Sequence, residues 1–229
     1  MHVVVQGYWP RVLDKHGFEQ DEIVELCKGR NKGITSTREN CYGWHGPWQD
    51  PSGWQQISDA CVGISVEYGK AMGLEEGEPV TPVSLNSDYM TGVAVVVGIL
   101  CVLMRWADRG GSYKVNLALN YYNQWLVRSV GWKKLWKRNR RVVFRAEHNM
   151  SYTIPKVMGM LKQNSGKVVF NPAFFEDRKS EAMAADARTV KPVIRFQGGE
   201  VELGYHVGTR GNGVDQVRWL EDLMTEIVR

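Results

Sequence analysis

The sequence predicts an α/β protein with a largely parallel sheet, and two observations indicate this class. Short runs rich in β-branched residues at 2–6, 33–37 and 113–117 have the length and composition of buried strands. Stretches with helix start and stop signals separate these runs. Because strands that alternate with helices pair in parallel, we expect residues 1–132 to form one α/β domain.

The helices are predicted at residues 21–28, 52–72, 89–109 and 118–130, with Ser52 as the N-cap of the second. The third holds the longest apolar run, twelve residues at 93–104. This run is shorter than the roughly 20 apolar residues that span a bilayer. We therefore expect a buried helix, stopped by Gly110 and Gly111, and no membrane partner.

Beyond residue 132 the alternation weakens. Residues 133–229 are predicted to hold a basic linker and a smaller C-terminal α+β portion. Its elements are helices at 154–162 and 219–228 and strands at 167–170, 193–196 and 201–205.

The basic residues are concentrated in one segment, at positions 128–145. Eight Lys and Arg residues and no acidic residue occur there, whereas the whole chain of 229 residues has a net charge of only +4. Such a block binds nucleic acid, an acidic lipid surface or cofactor phosphates, or is a solvated helix face. Because no nucleic-acid-binding motif accompanies the block, nucleic acid is the least favoured of these partners.

The four cysteines, Cys27, Cys41, Cys61 and Cys101, are scattered without a CxxC pair. This spacing predicts neither a metal site nor a disulfide framework. The first residues lack the charged and then apolar pattern of a signal peptide. We therefore expect a cytoplasmic protein.

Asp88 is the candidate catalytic residue. It stands at the start of the apolar helix, after a long loop and four residues before Gly92. An aspartate there commonly caps the helix. A helix N-terminus also favours the ionised carboxylate, and that form acts as a nucleophile.

Three segments carry a resemblance to a known family. They are NSDYMTG at 86–92 with RWADRGGSYKVNLAL at 105–119, VVVQGYWPRVLDKHGF at 3–18, and the Gly-, Pro- and Trp-rich loop TRENCYGWHGPW at 37–48. Taken in chain order, these segments resemble the signature of the class III (CaiB/BaiF-type) coenzyme A transferases. The resemblance implies a Rossmann-like fold and a homodimer.

The resemblance also implies the chemistry. Family members move CoA from an acyl-CoA thioester to a small carboxylic acid through an aspartyl-CoA intermediate, without a metal. Asp88 would be the nucleophile, and Gly7, Tyr8, Lys15 and His16 would line the CoA site.

The sequence departs from the family pattern at several points. The usual Asn is Gly7, the usual Gly after proline is Arg11, and Trp54 replaces the histidine of the racemase branch, which disfavours racemase activity. The family's first βα units are expected before Met1. The alternative hypothesis is therefore a catalytically silent fragment that binds CoA or serves in subunit association.

Overall fold

The computed structural model describes residues 2–29, 33–75, 77–83, 86–129, 142–180, 183–198, 203–204 and 211–213. The chain divides into two compact units, Met1–Pro155 and Lys156–Arg229. The predicted boundary at 132/133 falls among residues 130–141, outside the described residues, and stays a prediction.

A parallel sheet of three strands forms the centre of the first unit, which confirms the predicted α/β class. Its strands are β1 (His2–Gln6), β2 (Ile34–Asn40) and β3 (Tyr113–Ala118), in the order β1-β2-β3. The register pairs Gln6 with Arg38, and Asn40 with Ala118. The carboxyl ends of all three strands therefore meet at one edge of the sheet.

Five helices of the first unit follow or connect these strands within its described part. They are α1 (Gln20–Lys28), α2 (Gln55–Cys61), α3 (Ile64–Met72), α4 (Asn86–Arg109) and α5 (Leu119–Ser129). Gly110 and Gly111 follow α4 with φ of 65° and 89°, as predicted for its stop.

The single helix predicted at 52–72 is wrong. The chain forms α2 and α3 instead, because Gly63 takes a left-handed φ of 81° between them. The predicted Ser52 cap is also wrong, since Trp54 occupies the N-cap position of α2.

The expectation that the apolar helix is buried is wrong for α4 in this structure. Thr91, Val95 and Val102 are buried, but a second face is exposed and includes Tyr89, Met90, Val93, Val96, Val97, Leu100 and Met104. The helix has 24 residues and a hydropathy of 2.0, so by length and composition alone it could cross a membrane. Core helices of soluble proteins meet the same criterion, and α4 packs on β2, β3 and α5.

The second unit contains an antiparallel hairpin of β4 (Phe175–Ser180) and β5 (Ala185–Val190). A long helix, α6 (Met150–Val169), precedes it in the chain. The predicted helix at 154–162 is confirmed within α6. The strand predicted at 167–170 is wrong, because those residues end α6, and residues 193–196 form no strand. The strand predicted at 201–205 and the helix at 219–228 lie wholly or mostly outside the described residues.

Candidate active site

A cleft of about 330 Å³ lies at the carboxyl edge of the parallel sheet. Gly7 and Tyr8 follow β1, Asn40 and Cys41 lie at and just after the end of β2, and Leu119 follows β3. Ligands of open α/β sheets bind outside the carboxyl ends of the strands, so the cleft stands where the fold places a ligand.

Asp88 also lines this cleft, although it comes from the first turn of α4 rather than from a strand. Much of the residue is exposed to solvent. The part that the cleft shields from water is enough to raise the pKa of its carboxyl group. Its backbone N–H donates to Gln55 Oε1 at 3.2 Å. That amide is therefore satisfied by the protein.

The first residues of the aromatic loop after β2 pack against the sheet. Asn40 closes its start by accepting from Gly43 N at 2.9 Å and donating to Gly43 O at 2.7 Å. The Trp44 indole N–H donates to Leu117 O at 2.8 Å, and the Arg38 guanidinium lies 4.3 Å from the centroid of the Trp44 ring. These contacts hold one wall of the site against β2 and β3.

A groove adjoins the cleft and shares Tyr8, Trp9, Pro10 and Glu39 with it. Arg11, Arg38 and Trp44 line the groove further out. Guanidinium groups bind phosphates, and aromatic rings stack on a purine. At Gly7 an added Cβ would meet no atom within 4 Å, so the backbone there leaves room for a ligand. The groove therefore combines guanidinium groups with aromatic rings, beside the acidic side chains of Asp14 and Glu39.

Of the predicted site residues, the structure brings Gly7, Tyr8 and Asp88 together around the cleft. Lys15 and His16 lie in the 3-10 turn Asp14–His16 and do not line it, although Leu13 and Asp14 of the same segment line the adjoining groove. The role of all five residues in binding or catalysis stays a prediction.

Glu39 is a second carboxylate in the cleft, and no motif in the sequence predicts it. Burial and then the negative charge of Asp88 raise the pKa of Glu39. Alternation along β2 places Glu39 on one face of a strand but does not tell which face meets Asp88. The position of β2 beside the start of α4 was needed to find it.

Cys41 lines the cleft but does not supply a thiolate. Burial, the largest effect, raises the pKa of its thiol to about 11. The thiol donates to Trp54 O at 3.7 Å. Because only the thiolate is a strong nucleophile, Asp88 is the better candidate in this cleft.

Behind the cleft, a buried carboxylate joins three helices. Asp59 of α2 accepts from Ser87 Oγ at 3.0 Å, from Asn123 Nδ2 at 2.9 Å and from Gln55 Nε2 at 3.3 Å. Burial raises the pKa of Asp59, and these three hydrogen bonds oppose that rise. Two of its three partners lie on α4 and α5, so the sequence of α2 alone carries no signal for those two.

The family model for CoA-transferase family III matches residues 2–171. The chain therefore belongs to CoA-transferase family III, and the class expected from the three motifs is confirmed.

The chain is 50% identical over 233 residues to the acetyl-coenzyme A transferase nodX of Hypoxylon pulicicidum. That match covers 99% of this chain but 39% of nodX. An acyl-CoA transferase of Gibberella moniliformis is 36% identical over 121 residues, which is 53% of this chain and 21% of that protein. The chain thus spans well under half the length of these relatives.

One solved structure shows the same fold. A mutant of Rv3272 from Mycobacterium tuberculosis superposes with a TM-score of 0.54 and 15% identity, covering 85% of this chain and 69% of that one. A CAIB/BAIF family protein from Brucella suis matches with a TM-score of 0.46 and 20% identity over 62% of this chain and 35% of that one.

Proposed function

We propose that this chain carries the nucleophile and part of the CoA site of a CoA-transferase that moves CoA from an acyl-CoA thioester to a small carboxylic acid. The observation that carries the proposal is the Asp88 carboxylate, exposed at the start of α4 in the cleft at the strand ends. Membership of CoA-transferase family III and the name of the relative nodX support the same reaction class.

In the proposed reaction an Asp88 carboxylate oxygen attacks the thioester carbonyl carbon. The C–S bond breaks and the CoA thiolate leaves with the bonding electron pair, so Asp88 and the acyl group form a mixed anhydride. The thiolate then attacks the aspartyl carbonyl carbon and expels the donor acid as a carboxylate. An aspartyl-CoA thioester remains.

The acceptor acid runs the same two steps in reverse. Its carboxylate attacks the aspartyl thioester, CoA thiolate leaves, and the thiolate attacks the acceptor carbonyl of the new anhydride. Asp88 is released as a carboxylate, so no proton, metal or redox partner is consumed. Each attacking group is an anion, which is why the nucleophile must be ionised at working pH.

Gly7, Tyr8, Lys15 and His16 are proposed to contact CoA. In this arrangement the ring of Tyr8 flanks the thioester arm, and the open space at Gly7 admits it. Lys15 would pair with a phosphate beyond the groove that Leu13 and Asp14 line. A cytoplasmic location and a homodimer, both expected from the sequence, are also part of the proposal.

The test is trapping of the aspartyl intermediate. The protein is incubated with acetyl-CoA and other acyl-CoA thioesters, quenched with hydroxylamine, digested and analysed by mass spectrometry. We expect a hydroxamate at Asp88. The matched control is Asp108→Asn, at the other end of α4, which should still be labelled, whereas Asp88→Asn should not.

The competing hypothesis is a silent fragment that binds CoA without reacting. It predicts binding of desulfo-CoA by calorimetry without any label at Asp88 in folded protein. That pair of results would replace the transferase proposal with the binding one.

A further inference from the structure

The backbone of Asp88 is held from behind by a relay of side chains. The first turn of a helix leaves N–H groups without intrahelical partners, and a side-chain oxygen usually caps them. Here the oxygen comes from another helix, because Gln55 Oε1 of α2 accepts from Asp88 N at 3.2 Å. The position of Asp88 therefore depends on how the Gln55 amide is oriented.

Asp59 decides that orientation. An ionised carboxylate only accepts hydrogen bonds, so the group that Gln55 turns towards Asp59 Oδ2 must be its NH₂, 3.3 Å away. The Gln55 carbonyl oxygen then faces Asp88. Gln55 and Asp59 are both buried, at 3% and 2% exposure, so water does not compete for these contacts.

The same carboxylate holds the residue before Asp88. Asp59 Oδ1 accepts from Ser87 Oγ at 3.0 Å and from Asn123 Nδ2 of α5 at 2.9 Å. A charge buried among neutral donors costs free energy that an apolar or amide side chain would avoid. The contacts made with that charge converge on two consecutive residues at the start of α4.

We propose that Asp59 is a positioning residue, which acts through Gln55 and Ser87 to set the place of the Asp88 carboxylate in the cleft. The inference rests on the proposed function only in naming Asp88 as the nucleophile. Asp59 itself does not line the cleft.

Asp59→Asn isolates the relay. The amide oxygen of the introduced asparagine can still accept from Ser87 and Asn123. Its NH₂ group, however, then faces the NH₂ group of Gln55, and two donors cannot form a hydrogen bond. Gln55 must then turn its NH₂ towards Asp88 N–H, which removes the hydrogen bond there. A displacement of the reacting group by about 1 Å costs roughly 100-fold in rate, so we expect labelling of Asp88 to slow by roughly 10- to 100-fold.

The reciprocal variant restores the relay. In Gln55→Glu/Asp59→Asn, the introduced carboxylate accepts both from Asp88 N–H and from the introduced amide. We expect labelling to recover to within about threefold of the wild type. The second substitution offsets the first because the two residues share one hydrogen-bond network, so their effects are not additive. Gln56→Glu, at the exposed neighbouring position, controls for the added charge and should leave labelling unchanged.

Two readouts separate positioning from folding and from the proposed function. Affinity for desulfo-CoA should stay constant across the variants, and hydrogen exchange of the Asp88 amide should be faster only in Asp59→Asn. A wild-type labelling rate in Asp59→Asn, or no recovery in the folded reciprocal variant, would overturn the proposal. If the wild type is never labelled, the transferase proposal fails, and amide exchange at Asp88 still decides the positioning role.

Discussion

At the scale of single residues, the two carboxylates of the cleft differ in how they titrate. Burial raises the pKa of Asp88, whereas burial and the charge of Asp88 together raise that of Glu39. The negative charge of Asp88 therefore makes Glu39 harder to ionise than burial alone would, so the two carboxyl groups of the cleft are electrostatically coupled.

Glu39→Gln is expected to be more stable than the wild type at pH 7.5, with Tm higher by about 1–3 °C. A carboxyl whose folded pKa is raised contributes stability that is complete below its unfolded pKa and is lost as pH rises through the folded value. The amide avoids this loss. The advantage should disappear near pH 4.5, the ordinary pKa of glutamate, because the side chain at position 39 is then largely uncharged in both folded proteins.

Thermal unfolding followed by circular dichroism between pH 4.5 and 7.5 checks this prediction. Glu75→Gln, at an exposed position, is the matched control and should show no such trend. An advantage of Glu39→Gln that grows towards acid pH would contradict it.

At the scale of elements, glycines decide where helices can approach other segments. α3 lies against the segment 77–83, where Val80 N donates to Ser65 O at 2.9 Å. A Cβ added to Gly69 would collide with the carbonyl oxygen of Glu78. The close passage of this segment over α3 therefore requires glycine at position 69, since a backbone atom cannot turn aside as a flexible side chain can.

Gly69→Ala is expected to destabilise the first unit by about 1–3 kcal/mol, the usual cost of overpacking. Gly92→Ala in α4 is the control, because its Cβ would meet no atom within 4 Å. There alanine should raise helix stability by about 0.5–1 kcal/mol. Urea unfolding of both variants measures the difference. If Gly69→Ala had the same free energy of unfolding as Gly92→Ala, the segment 77–83 would move aside without cost, and the prediction would be wrong.

At the scale of the whole molecule, the chain is one part of the architecture of its longer relatives. It covers 39% of nodX, and its described parallel sheet has three strands. One face of α4 remains exposed and apolar in the described structure.

Sedimentation velocity is expected to give twice the chain mass, because the family resemblance implies a homodimer. The measurement should be repeated in about 0.5 M salt, where the Debye length falls to a few ångströms and association through the basic segment 128–145 would be screened. A species of single chain mass at both salt concentrations, with the protein folded, would contradict the prediction.

Sequence patterns were sufficient to predict the fold class, the three parallel strands, the long apolar helix after Asp88 and the family, because each depends on local periodicity, turn residues or ordered motifs. It also marked Arg11 as standing where the family has glycine, and the structure gives that residue a left-handed φ of 65°. Which side chains contact one another depends instead on how the elements pack. Asp59, Gln55 and Glu39 lie 29, 33 and 49 residues before Asp88 in the chain, and packing of α2, α4 and β2 sets their contacts. The exposed face of α4 likewise depends on what packs against it, which apolar composition alone does not specify.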